Sequence, residues 1–202
     1  EELDVRSRVE LFAKVCDAVA YAHEHGVIHR DLKPGNVLVR DDGQPRLLDF
    51  GIARAVSQDR SADVTLTGDG QRLFTPEFAS PEQVRGEPVS EASDIFSLGT
   101  ILYLLLSDVS PWGEFEWLHD LERKILEQDP VPPSRHRSGS TQRAIVGDLD
   151  TIVLACLAKE PAKRPSSVAK LSEELDRHLH HLPITTRPTP FHDRLRRHIR
   201  RN

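Results

Sequence analysis

Asp31, Lys33, Asn36 and Asp49 are the residues of this 202-residue chain whose types and spacing could do chemistry. They are two carboxylates, one carboxamide and one ammonium. An Asp oxygen and an Asn oxygen together suit a hard divalent cation such as Mg²⁺, which accepts few protein oxygens and completes its shell from phosphates and water. The second carboxylate can then orient a hydroxyl and accept its proton, and the lysine can neutralise charge on a phosphoryl group in flight. Such a set points to phosphoryl transfer.

These side chains need elements that bring them together. Three short apolar runs, Val27-Ile28, Val37-Leu38-Val39 and Leu47-Leu48, alternate with polar segments. The last two flank Asp41-Asp42-Gly43-Gln44, whose Asp-Gly pair signals a hairpin. The hairpin would bring Asn36, at the start of one strand, close to Asp49, at the exit of the other. Asp31 and Lys33 lie on the loop just before it. Taken singly, Asp, Asn, Gly and Pro are also ordinary turn residues, so the weight rests on the whole pattern.

That pattern, His29-Arg30-Asp31-Leu32-Lys33-Pro34-Gly35-Asn36 followed by Asp49-Phe50-Gly51, resembles the catalytic and magnesium loops of the eukaryotic-like (Hanks-type) protein kinase family. Lys33-Pro34 is similar to the serine/threonine branch. The resemblance implies Asp31 as catalytic base, Lys33 as phosphate contact, Asn36 and Asp49 as metal ligands, ATP and Mg²⁺ as cofactors, and Ser or Thr hydroxyls of proteins as substrates. His29 is expected to pack and hydrogen-bond in the interior. Arg30 is expected to receive a phosphate on the activation segment, which would run from Ile52 to Ser80 and offer Thr65 and Thr67. Phe74 to Glu82 resembles the substrate-positioning loop, with Phe74 where many kinases have Gly and Ser80 where Ala is common. Thr75 would bridge Asp31 and Lys33 through its hydroxyl. Arg164 matches the family arginine that pairs with Glu82 in a buried bridge. Asp94 would cap a helix and hold the catalytic-loop backbone as well.

The rest of the chain reads as helices. Val5, Val9, Phe12, Cys16, Val19 and His23 recur at helical spacing, giving a helix from Asp4 to His25 closed by Gly26. Ser93 or Asp94 is expected to start a helix, apolar nearly all round, that runs to about Ser107. Trp117, Leu121 and Ile125 mark another, ended at Asp129-Pro130. Arg135 to Gly147 reads as a polar loop. Leu149, Ile152, Val153, Cys156 and Leu157 form the next helix, and Lys159 to Pro165 breaks it. Ser166 is expected to cap the last, with Val168, Leu171, Leu175 and Leu179 on one face. His178, His180 and His181 read as a solvated helix end and not as a metal site.

The fold class is therefore mainly α (α+β), a protein kinase-like C-terminal lobe with a small β-hairpin at the catalytic loop. Cys16 and Cys156 read as reduced core thiols. The longest apolar run, Ile101 to Leu106, is far too short for a membrane span. From Pro183 to Asn202 six arginines stand against Asp193 alone, so of the net charge of −5 this segment carries +5 and residues 1–182 carry −10. An acidic body argues against nucleic acid as a partner. The chain lacks methionine and starts directly on the helix that leads into the catalytic loop. It is expected to be a piece of a longer protein of the bacterial receptor type, without the N-terminal lobe and inactive alone. Residues 1–182 would be the lobe and 183–202 a basic juxtamembrane tail able to touch an anionic membrane, placing the domain in the cytoplasm of a membrane-anchored parent. A pseudokinase-like scaffold or regulatory binding lobe is the alternative, and a small-molecule phosphotransferase a third, disfavoured by the peptide-positioning stretch from Thr75 to Glu82.

Overall fold

The computed structural model describes residues 3–49 and 75–186. Helix α1 spans Val5–Glu24, and the Asp4 carboxylate caps it by accepting from Ser7 N at 2.7 Å, a contact worth about 1 kcal/mol. Its buried stripe of Val9, Phe12, Val15, Cys16 and Val19 faces the centre of the domain. The chain leaves at Gly26, whose φ of 72° lies in the left-handed region that glycine adopts without strain.

Strands β1 (Val37–Val39) and β2 (Pro45–Leu47) pair antiparallel, Val37 opposite Leu47 and Val39 opposite Pro45. The turn closes through Gly43 N to Arg40 O at 2.8 Å, with Gly43 at φ 73°. Leu48 N then donates to Asn36 O at 2.9 Å, extending the ladder by one step. That bond sets the start of one strand beside the exit of the other.

Short α2 (Pro81–Val84) is followed by α3 (Glu91–Ser107), the central helix, buried over most of its surface. Its cap lies three or four residues before the expected Ser93 or Asp94. Ser90 is its N-cap, and Ser90 N donates to Ser93 Oγ at 3.3 Å. Asp94 consequently lies inside the first turn, where its carboxylate can reach a neighbouring loop. At the other end Asp108 takes φ 59°. Arg8 binds Leu105 O (2.6 Å) and Asp108 Oδ1 (2.9 Å), while Arg137 binds Leu106 O (3.0 Å) and Asp108. The two guanidiniums satisfy carbonyls that a helix end leaves open.

Helix α4 (Leu118–Glu127) buries Leu121 and Ile125. Trp117 is its N-cap and is 64% exposed, so it is no part of the buried stripe that its spacing suggested. The buried tryptophan is Trp112, stacked on Phe96 at 5.9 Å with Lys159 Nζ 4.3 Å from its ring centre. The stretch from Arg135 to Gly147 is not a plain loop: a 3₁₀ turn over Pro133–His136 leads to α5 (Gly139–Ile145). Only Ile145 of α5 is buried, so a seven-residue helix leaves no hydrophobic period to read. Helices α6 (Asp148–Cys156) and α7 (Val168–Leu179) complete the order. The cap of α7 is Ser167, which accepts from Lys170 N at 3.1 Å, one residue beyond the expected Ser166.

Helix α1 packs on α7 and α3, and α3 on α6, around one continuous core. Cys16 and Cys156 are buried and free within it. Burial pushes the Cys156 thiol up to about 12 and raises that of Cys16, so both stay protonated and behave as small apolar groups. No helix among the described residues is long and apolar enough to cross a membrane.

Candidate active site

The loop between α1 and β1 is held from beneath by one carboxylate. Asp94 is 1% exposed, and its two oxygens accept from His29 N and Arg30 N, each at 2.8 Å. His23, from α1, binds Asp94 Oδ2 through Nε2 at 2.8 Å. His29 is fully buried and its Nε2 meets Leu48 O at 3.0 Å, which links the loop to the residue before Asp49. Asp94 is not the helix cap expected of it, since Ser90 takes that place, but its carboxylate holds the backbone of the loop, and His29 packs and hydrogen-bonds in the interior. His23 read only as one residue of an apolar stripe, and its bond to Asp94 left no local signal.

This anchoring maintains two unusual backbones. Arg30 has φ 69° and Asp49 φ 51°, conformations that cost a non-glycine residue about 1 kcal/mol or more each and persist where the surroundings overdetermine them. The Arg30 carbonyl is held in turn by Gln83 Nε2 at 2.8 Å. Gln83 belongs to a capping box with Ser80: Ser80 N donates to Gln83 Oε1 (3.0 Å) and Gln83 N to Ser80 Oγ (3.4 Å). Ser80 therefore has a positive structural use as the N-cap of α2. The sequence reading missed Gln83, although Ser-x-x-Gln is a recognisable helix-start signature.

Between these supports the chemistry-bearing groups converge. Lys33 Nζ lies 3.1 Å from Asp31 Oδ2 and donates to Thr75 Oγ1 at 2.8 Å. Thr75 N donates to Asp31 Oδ1 at 3.3 Å. Thr75 does join Asp31 and Lys33, but with two different groups: its hydroxyl serves the lysine and its backbone N–H the carboxylate. Asn36 Nδ2 donates to Asp31 O at 2.8 Å and lies 3.4 Å from Asp31 Oδ2. With its amino group so engaged, Asn36 has Oδ1, the atom able to ligate a cation, as its remaining acceptor. Asn36 and Asp49 offer one amide oxygen and one carboxylate, a donor set that fits a hard divalent cation sharing its shell with phosphate oxygens.

A clamp joins α2 to the connection between α6 and α7. Arg164 Nη1 and Nη2 meet Glu82 Oε1 and Oε2 at 2.7 and 2.8 Å. The remaining guanidinium N–H groups reach Ala92 O, Ala158 O and Lys159 O, so all five donors have acceptors. Ser93 Oγ donates to Glu82 Oε1 at 2.7 Å. Burial alone would raise the Glu82 carboxyl, but the hydrogen bonds and charge of Arg164, with Ser93, bring it below its ordinary value.

Phe50, Gly51, Thr65, Thr67 and Phe74 lie outside the described residues. Among the described residues no group of three or more His, Cys, Asp or Glu could hold a metal. His178 lies 3.5 Å from Asp148, and His180 Nδ1 bonds Asp176 O.

A helical body, a hairpin that joins Asn36 to the approach of Asp49, and a loop that gathers Asp31 and Lys33 define a protein kinase domain. The chain matches that family over residues 2–178 and belongs to it, as the residues from His29 to Asn36 and from Asp49 to Gly51 led one to expect. It is 38% identical over 176 residues to the serine/threonine-protein kinase PknB of Mycolicibacterium smegmatis, covering 85% of this chain and 26% of that protein. It is 36% identical over 173 residues to PknB of Mycobacterium leprae, with 84% and 26% covered. A probable serine/threonine-protein kinase PknB of Corynebacterium glutamicum is 36% identical over 163 residues, with 81% and 24% covered. The chain spans about a quarter of the length of these relatives.

Proposed function

We propose that this chain is the large, C-terminal lobe of a serine/threonine protein kinase that transfers the γ-phosphoryl group of ATP to Ser or Thr hydroxyls of proteins. The observation that carries the reading is the Asp31 carboxylate, set between Lys33 and Thr75 and braced by Asn36. In this role Asp31 orients the incoming hydroxyl and accepts its proton. Lys33, 3.1 Å from it, neutralises charge on the phosphoryl group as it passes. Asn36 and Asp49 would hold Mg²⁺, which supplies charge neutralisation to the nucleotide phosphates when bound. Thr75 fixes the lysine, and the Asp94, Gln83 and Glu82–Arg164 contacts fix the loops.

In the same reading residues 1–182 form the lobe and 183–202 a basic tail. Arg30 receives a phosphate placed on Thr65 or Thr67, ordering the activation segment. The arginine-rich tail contacts an anionic membrane in a longer, membrane-anchored parent whose kinase domain faces the cytoplasm.

The deciding experiment uses the parent protein. Asp31→Asn should abolish transfer and leave nucleotide affinity nearly intact, because Asp31 acts on the hydroxyl. Asp49→Asn should weaken Mg²⁺-dependent nucleotide binding as well, since it removes a charged ligand. Transfer at the wild-type rate in the Asp31→Asn parent refutes the mechanism.

A further inference from the structure

Glu174 of α7 is 1% exposed, and among the described residues its charge is held by hydrogen bonds alone. After α7 the chain turns back at His181, whose φ is 57°. Leu182 N binds Arg177 O at 2.8 Å and Arg177 Nε binds Pro183 O at 2.7 Å. Ile184 packs against the core. Three donors then converge on the buried carboxylate: Thr185 N at 2.8 Å from Oε2 and 3.1 Å from Oε1, Thr186 N at 2.9 Å from Oε2, and the Thr185 hydroxyl on Oε1. Burial would raise the Glu174 carboxyl, and these bonds instead bring it below its ordinary value.

The arrangement is a latch, with neutral dipoles of one segment closed on an anion of a helix. Its weak point is electrostatic. Thr185 is an exposed position of the short segment that follows α7 outside the regular elements, the kind of element that opens locally without unfolding the body. Its hydroxyl in the closed state touches a carboxylate. A phosphate on that oxygen would carry a charge of about −1.5 to −2 at neutral pH and would have to face the buried Glu174 carboxylate at contact distance. Like charges so placed repel strongly.

We propose that Thr185 is a phosphorylation site and that its phosphate springs this latch, freeing residues 183–186 from α7. The donor is ATP, acting through a protein serine/threonine kinase. A bond forms between Thr185 Oγ1 and the γ-phosphorus, the bond from that phosphorus to the ADP oxygen breaks, and the hydroxyl proton passes to the carboxylate base of the modifying kinase. Modification takes place on the open segment and then prevents it from closing.

The test is amide hydrogen exchange at Thr185 and Thr186 in the full 202-residue chain carrying Thr, phosphothreonine (introduced by ligation) or Val at position 185, each with Glu174 or Glu174→Gln. Thr185→Val removes only the hydroxyl bond and should speed exchange modestly. Phosphothreonine should speed it on the order of tenfold or more beyond the Val variant, because repulsion also opens the backbone N–H bonds of Thr185 and Thr186 to the carboxylate, and that excess should shrink with Gln at 174. Equal exchange in the phosphorylated and Val chains overturns the proposal, as does an excess that persists unchanged in Glu174→Gln. If Glu174→Gln fails to fold, the comparison of phosphothreonine with Val in the native background decides alone. Phosphopeptide mapping after treatment with ATP and an active serine/threonine kinase should find Thr185 modified; phosphate on other sites with none on Thr185 overturns the site assignment.

Discussion

Arg164 and Glu82 stand far apart in the chain and share a two-point ion pair at 2.7 and 2.8 Å, with side chains 0% and 5% exposed. Breaking such a pair leaves an uncompensated charge in the interior, whereas removing both charges together does not. Glu82→Ala or Arg164→Ala should each cost about 3–5 kcal/mol, and the double replacement Glu82→Leu with Arg164→Met distinctly less than the two singles combined. Denaturant unfolding of the four chains checks this. Additive losses would show that the pair is not coupled.

The same contact sets a pH dependence. The folded Glu82 carboxyl lies below its ordinary value, so its contribution to stability is fully present above the unfolded value of about 4.3. It is lost as pH falls through the folded value, because the unfolded chain then takes up the proton more readily. Melting temperature should drop with acidification below about pH 4, and the drop should flatten in the Glu82→Leu, Arg164→Met chain. An identical pH slope in both chains would assign the acid sensitivity to other carboxylates.

How much of this was legible in the sequence depends on how local each signal is. Asp31, Lys33, Asn36 and Asp49 sit on one loop and one hairpin, so the turn signal at Asp42-Gly43 and the apolar runs beside it sufficed to place them near one another. Helix α1 carried seven buried positions at regular spacing and was readable nearly to the residue. Helix α5 buries only Ile145 and was not. The start of α3 was misplaced because Ser90, Ser93 and Asp94 are all good capping types; Ser90 caps, and Ser93 lies inside the first turn, where its hydroxyl donates to Glu82. Contacts such as His23 with Asp94 and Gln83 with Arg30 join residues 71 and 53 positions apart, distances that no sequence period spans. The exposed Trp117 and buried Trp112 show the converse: hydrophobic type alone did not decide which ring enters the core.

Gly99 lies in mid-helix, where propensity alone would favour alanine by about 1 kcal/mol. A Cβ there would stand 2.6 Å from Cys156 Cβ and 3.4 Å from the Cys156 backbone carbon. Both neighbours are rigid, so α3 and α6 would have to separate. Overpacking of this kind costs about 1–3 kcal/mol and outweighs the gain in propensity. Gly99→Ala should therefore lower the melting temperature, and a raised one would show that the two helices can yield.

Asp94 satisfies His29 N and Arg30 N with separate oxygens, both at 2.8 Å. Asp94→Asn replaces one acceptor by a donor that would face a backbone N–H in a buried site. A loss of about 1–3 kcal/mol follows for each unsatisfied group, and it should be concentrated in the loop. Amide exchange at His29 and Arg30 should accelerate more than exchange in α6. Uniform acceleration across both would make Asp94 a general core residue instead of a loop support.

Thr75 separates the lysine contact from the carboxylate contact within one residue. Its hydroxyl accepts from Lys33 at 2.8 Å, and its backbone N–H reaches Asp31 at 3.3 Å. Side-chain substitution should therefore release the lysine and leave the Asp31 contact in place. In the active parent Thr75→Val removes the acceptor without changing shape greatly, and a lost hydrogen bond to a charged group corresponds to roughly a tenfold fall in kcat or more. Thr75→Ser retains the hydroxyl and should keep most of the rate. KM for ATP should change little in either variant if Lys33 acts mainly as the phosphoryl group passes, because an interaction made only in the transition state alters kcat and not ground-state binding. Steady-state kinetics of the three chains decides the matter: a Val variant at the wild-type kcat would mean that the Thr75 hydroxyl does not position Lys33 for transfer.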